Sequence, residues 1–392
     1  MSASNPSPNI RSWALDIDER TIVQASRTAR LPILAGPLAL MPDAHVGIGA
    51  TVGSVIATDG ALVPSAVGVD VGCGMIAART DLMADALPDE LAPLLDRIAA
   101  TIPAGVGRSH AEVDRRGNRW FAEHPMPGHL NEKQRHRAAV QFATLGSGNH
   151  FAELSVDERD SVWFVLHSGS RGIGNELAQG HIKAAKRDFA RVVEGHQLED
   201  PDLAWVVAGT PAFDAYVADL QWLQAYAAGS RDAMMHAALE QLFAYVGHGR
   251  EIDRVNAHHN YAQLEAHVID GAPRDVWVTR KGAIRARIGD RGIIPGSMGT
   301  ATYIVEGLGN EASWCSCAHG AGRRMSRTQA KRELTADSLT QRMEGKTWLA
   351  KDAARLGDEH PDAYKDIDAV LAQQTDLVRV THRLTQILNY KG

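Results

Sequence analysis

A carboxylate and a thiol lie three residues apart in the run VDVGCG of residues 69–74. Glycine on both sides of Cys73 favours a tight turn, in which the side chains of Asp70 and Cys73 can face one ion. A cysteine thiolate is a strong metal ligand and can bridge two cations. Because a single cysteine beside glycine is more often part of a packed core, this run alone leaves a metal site and a structural turn both open.

Three other segments place histidine next to glycine, serine or asparagine. They are GSGNHFAEL (146–154), LHSGSRGIGN (166–175) and VNAHHNYA (255–262). Each histidine taken alone is more often structural, but several of them together with Asp70 and Cys73 favour a metal centre. Carboxylate, thiolate and imidazole ligands suit manganese, zinc or iron. One histidine from each of the three segments, together with Asp70 and Cys73, gives five ligands, which is more than one tetrahedral site needs. Two ions that share Cys73 are therefore the simplest arrangement, and a close pair of ions suits phosphoryl chemistry.

The run CSCAHGAGR of residues 315–323 offers a different chemistry. Its two cysteines have the spacing of zinc ligands, but the chain has only 3 cysteines and no second pair to complete a cysteine-rich site. The small residues after His319 allow a phosphate to approach backbone N–H groups, and Arg323 can contact an anion. A histidine in that setting can act as a nucleophile toward phosphorus, or it can be a structural residue before a glycine turn.

No segment matches the Walker A pattern, or a dinucleotide-binding fingerprint between a strand and a helix, so a nucleotide would need another kind of site. The run PGSMGTAT of residues 295–302 is one candidate, because Ser297, Thr300 and Thr302 place hydroxyl groups among small residues. A plain turn after the preceding strand explains the same run equally well.

Short strands are expected to position Asp70 and Cys73. Residues 41–80 are rich in valine and isoleucine, have no helical period, and predict short strands joined by tight turns. Residues 105–138 are predicted to be loop with some helix. Residues 162–166 predict a strand that runs into His167, and Asn175 is predicted to cap a helix that continues into the 190s.

The second half of the chain carries further helix and strand signals. Apolar residues at helical spacing predict a helix over 230–246 behind a serine N-cap, and strand signals recur at 276–288 and 302–305. Residues 333–392 are predicted to be largely helical, with one helix that opens near Pro361, because proline is tolerated in a first turn.

The composition is that of an ordinary globular protein of 392 residues, with 44% hydrophobic and 22% charged residues, which excludes wholesale disorder. The formal net charge of -6 argues against a broadly basic nucleic-acid coat but allows a local basic groove. No stretch has about 18 consecutive apolar residues, the N-terminus does not resemble a signal peptide, and the cysteines form no disulfide framework. We therefore expect a cytoplasmic protein without a membrane span. Strands and helices alternate without a regular βαβ period, so we expect one mixed α/β (α+β) domain over residues 1–392.

Many segments of this chain, taken in order, resemble motifs of the RtcB family of RNA ligases. The resemblance extends from about residue 13 to the C-terminus. The matching segments are MPDAHVGIGATVGSVI, AVGVDVGCGM, LGSGNHFAE, LHSGSRGIGN, HHN at 258–260, TRKGA, IIPGSMG, GLGNE, SCAHGAGRRMSR, AYKDIDAV and the terminal Lys391-Gly392. Each motif alone is modestly specific, but their common order over the whole chain is very specific.

The resemblance implies an RtcB-type fold, in which central sheets surround a deep site for two metal ions. It implies an enzyme that uses GTP and two Mn²⁺ ions to join an RNA 2′,3′-cyclic phosphate or 3′-phosphate end to a 5′-hydroxyl end, in RNA splicing or repair. The reaction would pass through a histidine–GMP intermediate and an RNA-(3′)pp(5′)G end. The implied partners are RNA with broken ends, such as cleaved tRNA, and an archease-type activator.

Carried over position by position, the resemblance also implies roles for individual residues. The implied metal ligands, with Cys73 bridging, are Asp70, Cys73, His150, His167 and His259. His319 would take GMP as a phosphoramidate. The implied nucleotide-binding residues are Asn149, His150, Phe151, Ala152, Glu153, His259, Asn260, Pro295, Gly296, Ser297, Met298, Thr302, His319, Gly320, Ala321, Gly322 and Lys391. Asn149 and Arg171 would contact RNA phosphates, while Lys391 and Glu153 are suited to read the edges of guanine.

Two other functions stay open on the residues alone. A metal-dependent phosphoesterase that opens cyclic phosphates without ligation would need Asp70, Cys73 and the histidine ligands, but it would bind GTP poorly. A non-catalytic RNA-end binder would need neither metal chemistry nor a nucleophile. The feature that separates these alternatives from a ligase is His319 within HGAGR, since hydrolysis needs no such nucleophile.

Overall fold

The computed structural model describes residues 9–192 and 197–392, in which strands and helices alternate irregularly. The strands are β1 (Ile10–Ser12), β2 (Leu38–His45), β3 (Val52–Thr58), β4 (Ala61–Leu62), β5 (Gly74–Met83), β6 (Phe151–Val156), β7 (Ser161–Ser168), β8 (Val206–Val207), β9 (Glu251–His258), β10 (Asn260–Ile269), β11 (Ala272–Lys281), β12 (Ala283–Arg285), β13 (Arg291–Pro295), β14 (Thr302–Gly307), β15 (Ser316–Ala318), β16 (Thr347–Trp348) and β17 (Val378–Lys391). The helices are α1 (Glu19–Thr28), α2 (Pro64–Val67), α3 (Ala92–Thr101), α4 (Arg115–Glu123), α5 (Glu132–Gln141), α6 (Arg171–Val192), α7 (Pro211–Val246), α8 (Arg327–Glu333), α9 (Ala336–Arg342) and α10 (Ile367–Ala372). Short 3₁₀ turns lie at Ala84–Ala86, Pro201–Leu203, Glu311–Ser313, Ala350–Asp352, Gly357–Glu359 and Pro361–Ala363.

The largest sheet has eight strands and nearly closes on itself. Its main path is β13-β14-β17-β6-β7-β5-β9, and β16 pairs with β17 beside that path. The two ends of the path approach each other: Arg291 on β13 donates hydrogen bonds to both carboxylate oxygens of Asp253 on β9, at 2.6 and 2.8 Å. This sheet wraps one buried apolar cluster to which all seven strands of the path contribute, namely Met75, Ala77, Phe151, Trp163, Val165, Val255, Ile293, Ile304 and Leu384. Their burial stabilises the curved sheet through the hydrophobic effect.

A second sheet and a long helix pack around the large sheet. The second sheet has the order β1-β2-β3-β11-β10, and two short pairs, β12-β15 and β4-β8, lie outside both sheets. An apolar cluster joins the second sheet to the β12-β15 pair. Helix α7 has 36 residues and packs against β5, β7 and β9. It begins behind the N-cap Thr210 and ends at Gly247, whose left-handed conformation is typical of a helix C-terminus.

The register of the large sheet brings four strand ends to one edge. Gly74 on β5 pairs with Ser168 on β7 and with His258 on β9. Phe151 on β6 pairs with His167 on β7. The residues that precede or end these strands are therefore neighbours in space, although they are far apart in the sequence.

The predicted mixed α/β fold is confirmed, but four predictions about helices are wrong. Helix α6 begins at Arg171, so Asn175 lies inside it, and the predicted extension into 193–196 falls outside the described residues. Ser230 lies inside α7, where its hydroxyl accepts a hydrogen bond from the backbone N–H of Ala143 at 3.0 Å instead of capping a helix. Residues 333–392 are not largely helical, because they end in the 14-residue strand β17. The helix predicted near Pro361 is a single 3₁₀ turn.

In the part of the chain that the structure describes, none of the helices has both the length and the apolar character needed to cross a bilayer.

Candidate metal and nucleotide site

One thiol and three imidazole rings meet at the edge where the four strand ends align. The Sγ atom of Cys73 is 3.4 Å from Nε2 of His150 and 3.2 Å from Nε2 of His167. Nε2 of His167 is in turn 3.2 Å from Nε2 of His259. Nε2 of His150 is 3.0 Å from Oδ2 of Asp70. The structure thus brings the five predicted metal ligands into one cluster.

Backbone carbonyls fix the orientation of two of these rings. Nδ1 of His150 is 2.9 Å from the carbonyl oxygen of Leu145, and Nδ1 of His167 is 3.0 Å from that of Asn149. Because a carbonyl only accepts, each Nδ1 carries a proton, so Nε2 is the nitrogen of each ring that faces the cluster and can bind an ion once it carries no proton. Outer hydrogen bonds of this kind are typical of metal-binding histidines. Nδ1 of His259 is buried without a partner among the described residues, and Nε2 is the nitrogen of this ring that faces His167.

The charges in the cluster favour binding of a cation. Burial alone would raise the pKa of Asp70, but the hydrogen bond and charge of His150 outweigh it and hold this pKa at about 2. Burial lowers the pKa of His167 and of His259 well below the ordinary range, so both rings are neutral. Burial and the charge of Asp70 raise the pKa of the Cys73 thiol, an effect that a bound cation would reverse by stabilising the thiolate. The donor set therefore fits metal ions that accept oxygen, nitrogen and sulfur ligands.

Gly169 makes room for the carboxylate of Asp70. A Cβ atom at position 169 would collide with the Asp70 carboxylate, so glycine at this turn between β7 and α6 lets the carboxylate keep its position. The next residue, Ser170, donates its backbone N–H to Oδ1 of Asp70 at 3.0 Å. The segment HSGSRG therefore supplies His167 and also positions Asp70.

His319 follows β15 and is held by a carboxylate on β2. Its Nδ1 atom is 2.6 Å from Oδ2 of Asp43, and its backbone N–H donates to the same oxygen at 3.2 Å. Asp43 is fully buried. Because a carboxylate accepts, the proton of the His319 ring is on Nδ1 and the lone pair is on Nε2. The ring centroids of His319 and His259 are 4.8 Å apart, which places the candidate nucleophile next to the metal-capable cluster.

A cavity of about 360 Å³ contains both His319 and one side of the cluster. The predicted site residues that line it are Asp70, Asn149, Phe151, Glu153, His167, His259, Asn260, Pro295, Gly296, Ser297, Met298, Thr302, His319, Gly320, Ala321, Gly322 and Lys391. Cys73 and His150 do not line it but contact His167 and Asp70, which do. Most of the predicted residues thus share one cavity.

Two other predicted residues are not among those that line the cavity. The side chain of Ala152 lies in the apolar core, because alternate residues of β6 face opposite ways. Only its main chain is left to face a nucleotide. Arg171 lies against Gly146 near His150, and its Nε donates to Oγ1 of Thr144 at 3.2 Å.

A buried carboxylate marks another part of the cavity. Oγ1 of Thr302 donates to Oε1 of Glu153 at 2.8 Å, and Nε2 of Gln386 donates to Oε2. Burial raises the pKa of Glu153 to about 7 in spite of these hydrogen bonds. Thr302 therefore acts on Glu153 and positions its carboxylate.

The last strand brings the C-terminal lysine into the same cavity. Lys391 pairs with Phe151 where β17 runs beside β6, and its Nζ atom is 5.6 Å from the centroid of the Phe151 ring. Nζ also lies 3.1 Å from Oε2 of Glu359. Burial alone would raise the pKa of Glu359, but Lys391 and Arg327 outweigh it and hold this pKa at about 2. The lysine is thus held by an ionised carboxylate at the cavity wall.

Several polar residues at the site were not predicted from the sequence: Asp43, Lys281, Arg327, Glu359 and Gln386. Asp43 had a usable signal, since a carboxylate between apolar residues of a strand is rarely buried without a specific role. Lys281 lies in TRKGA, where its Nζ donates to the carbonyls of Ile48 and Ser65, and burial lowers its pKa to about 8. Gln386 was missed because its strand was predicted to be helical.

The family model for tRNA-splicing ligase RtcB matches residues 24–392. The chain belongs to the RtcB family. It is 43% identical to the RNA-splicing ligase RtcB of Escherichia coli (strain K12), over 94% of this chain and 93% of the relative. It is 30% identical to the RNA-splicing ligase RtcB of Mycobacterium tuberculosis, over 94% of this chain and 100% of the relative. It is also 30% identical to the tRNA-splicing ligase RtcB of Aeropyrum pernix, over 95% of this chain and 92% of the relative. The predicted membership of the RtcB family is confirmed.

Proposed function

We propose that this RtcB-family chain is an RNA ligase that uses GTP and two Mn²⁺ ions to join RNA 2′,3′-cyclic phosphate or 3′-phosphate ends to 5′-hydroxyl ends, in RNA splicing or repair. Membership of a family described as tRNA-splicing ligases supports the RNA ligase activity. The observation that supports the use of GTP and metal ions is the position of His319. Asp43 leaves Nε2 of His319 unprotonated, and the ring lies 4.8 Å from His259 in the same cavity as the metal-capable cluster.

The residues that would hold the metal ions are Asp70, Cys73, His150, His167 and His259. Their mixture of carboxylate, thiolate and imidazole donors is compatible with manganese. Bound ions would polarise the α-phosphate of GTP and offset the charge of the leaving pyrophosphate. Because backbone carbonyls hold a proton on Nδ1 of His150 and of His167, Nε2 is the nitrogen with which each ring would bind an ion.

His319 is the proposed nucleophile. Its Nε2 attacks the α-phosphorus of GTP, a P–N bond forms, and the bond from phosphorus to pyrophosphate breaks. Asp43 keeps the proton on Nδ1 and stabilises the positive charge that develops on the ring. An RNA 3′-phosphate, which a cyclic end yields by reaction with water, then displaces the histidine and forms an RNA-(3′)pp(5′)G end. The 5′-hydroxyl of the second strand attacks the RNA 3′-phosphorus, loses its proton to solvent, and releases GMP.

Glu153 and Lys391 are the proposed readers of guanine. The carboxylate of Glu153 can accept from the N1–H and amino groups of guanine, and the ammonium of Lys391 can donate to O6. The remaining predicted nucleotide contacts are proposed for Phe151, Asn260, the turn 295–298 and the loop 319–322, with Ala152 limited to its main chain. Asn149 and Arg171 are proposed to contact RNA phosphates, because amide and guanidinium groups donate readily to phosphate oxygens.

A ligation assay tests the proposed function against its two alternatives. One labelled RNA strand carries a 2′,3′-cyclic phosphate and the other a 5′-hydroxyl, and both are incubated with GTP and Mn²⁺, with and without an archease-type activator. We expect a joined strand with the wild type and with His236→Ala, whose histidine is exposed on α7, and none with His319→Ala. Opening of the cyclic phosphate without joining would favour the phosphoesterase. Retention of unchanged RNA would favour the RNA-end binder.

A further inference from the structure

A second group of metal-ligand side chains lies at the start of the CSCAHGAGR run. Nδ1 of His267 is 3.0 Å from Oε2 of Glu311. The thiol of Cys315 completes a group of three ligand atoms that lie within 4.8 Å of one another. None of these three residues is among those that line the candidate active-site cavity. The group is therefore separate from the cluster around Cys73.

A buried carboxylate orients the histidine of this group. Glu265 and His267 lie on the same face of β10, and Nε2 of His267 is 3.3 Å from Oε2 of Glu265. Arg280 holds Glu265 through contacts of 2.5 and 3.2 Å, and Arg287 adds a third of 3.2 Å. This carboxylate is thus a fixed acceptor for the Nε2–H of His267, which turns Nδ1 toward Glu311 and Cys315. A carboxylate that fixes a histidine in this way is typical of zinc sites.

The three side chains differ in exposure in a way that suits entry of a cation. His267 and Cys315 are each 3% exposed, whereas the side chain of Glu311 is 62% exposed. An ion can therefore enter from the side of Glu311 and reach two ligands that are withdrawn from water. Nδ1 of His267 and Oε2 of Glu311 are 3.0 Å apart, whereas two zinc bonds of about 2.0–2.1 Å at a tetrahedral angle span about 3.3–3.4 Å, so a small outward shift of the exposed Glu311 side chain would admit the ion.

We propose that His267, Glu311 and Cys315 bind one Zn²⁺ ion, with Glu265 as the orienting residue and water as the fourth ligand. Nitrogen and sulfur ligands favour zinc, whereas manganese prefers carboxylate, carbonyl and water oxygen. The site uses Cys315, the first of the two cysteines in the CSCAHGAGR run, and leaves Cys317 outside it. It does not depend on the proposed ligase reaction.

Zinc at this position would connect two segments, one next to the candidate metal ligand His259 and one next to the candidate nucleophile His319. Strand β10 begins at Asn260, directly after His259, and carries His267 further along. Cys315 directly precedes β15, which leads into His319. An ion bound to both segments would fix their spacing. Because the ligands come together only in the folded chain, zinc binding would also stabilise the fold.

The test counts zinc ions per chain. The metal-free full-length chain is dialysed against Zn²⁺, and bound zinc is measured by mass spectrometry of the element. We expect Cys315→Ala to bind one zinc ion fewer than the wild type. The matched control is Cys317→Ala, since Cys317 is also a buried free cysteine but does not belong to the group. We expect the control to bind as many zinc ions as the wild type.

Two further measurements keep the test decisive if Cys315→Ala folds poorly. Glu311→Gln changes an exposed side chain, so it leaves the core intact, and we expect it to raise the Kd of this zinc ion by about tenfold or more. We also expect zinc to raise the Tm of the wild type and of Cys317→Ala by more than that of Glu311→Gln. Equal zinc content and equal zinc affinity in Cys315→Ala, Glu311→Gln and the wild type would overturn the proposal.

Discussion

Nδ1 of His319 lies 2.6 Å from Oδ2 of Asp43, and this contact determines which nitrogen of the ring is free for chemistry. The carboxylate cannot easily move, because Asp43 is fully buried and the backbone carbonyls of the residues before and after it accept hydrogen bonds from one lysine. Nζ of Lys365 donates to the carbonyl of Pro42 at 3.1 Å and to that of Ala44 at 3.2 Å. The fold of β2 therefore positions the candidate nucleophile.

Replacement of Asp43 by asparagine tests this relationship. The Asp43→Asn variant keeps the shape of the side chain but removes the charge that stabilises a positive ring. We expect the rate of GMP transfer to His319 to fall by about 10²-fold or more, with metal content unchanged. Single-turnover measurement of the GMP adduct provides the rate. An adduct that forms at the wild-type rate would mean that Asp43 does not position the nucleophile.

Much of the strand framework was predictable because its signals are local. Residues 41–80 were predicted as short strands with tight turns, and they contain most of β2, all of β3 and β4, and the start of β5. The strand predicted over 162–166 lies within β7, and the signals at 276–288 and 302–305 fall on β11, β12 and β14. These segments have β-branched residues and glycine at their ends, so propensity and tertiary structure agree.

The C-terminal region was mispredicted because long-range pairing decides its structure. Strand β17 (Val378–Lys391) pairs with β14 and β6, which are distant in the sequence. Its mixture of polar and apolar residues gives no clear period of two until those partners are known. The expectation that Lys391 belongs to the nucleotide site therefore followed only from the family resemblance, and its positions beside Phe151 and Glu359 could not be foreseen.

A small substitution beside the metal-capable cluster should be enough to disturb it. In Gly169→Ala the new Cβ would collide with the carboxylate of Asp70, so this carboxylate must leave the position that places it 3.0 Å from Nε2 of His150. We expect weaker Mn²⁺ binding, measured by equilibrium dialysis.

The matched control for this substitution is Gly180→Ala in α6, where a Cβ meets open space. Here we expect unchanged Mn²⁺ binding and a gain of about 0.5–1 kcal/mol in the free energy of unfolding, since alanine favours the helix. Equal Mn²⁺ affinity in the two variants would contradict the close approach of residue 169 to Asp70.

Glu153 should make nucleotide binding depend on pH. Burial raises the pKa of Glu153 to about 7, and only the ionised carboxylate can accept from both donors of guanine. Affinity for GTP is therefore expected to increase as the pH rises through about 7 and to level off above it. Calorimetric titration of His319→Ala with GTP measures this without turnover. The double variant His319→Ala/Glu153→Gln should bind GTP with an affinity that no longer depends on pH. If the pH dependence remained in the double variant, another group would be responsible for it.

Glu359 should contribute to stability in acid through Lys391. Its pKa is about 2 in the folded chain against an ordinary value of 4.5, so the unfolded chain binds more protons between these values. The contribution is complete above about 4.5 and is lost as the pH falls toward about 2. In Lys391→Met the pKa of Glu359 should rise, and each unit corresponds to about 1.4 kcal/mol of unfolding free energy.

Urea unfolding at a series of pH values measures this effect. We expect Lys391→Met to lose stability at a higher pH than the wild type, whereas Lys351→Met, at an exposed position, should follow the wild type. Identical pH profiles for Lys391→Met and the wild type would show that Lys391 does not hold Glu359 ionised.

The most direct test of the account is the mass of the intact chain after incubation with GTP and Mn²⁺. We expect the wild type to gain one GMP, which acid removes because the bond is a P–N bond, and His319→Ala to gain none. An adduct of the same size on His319→Ala, or its absence from the wild type with Mn²⁺ bound, would contradict the assignment of His319 as the nucleophile.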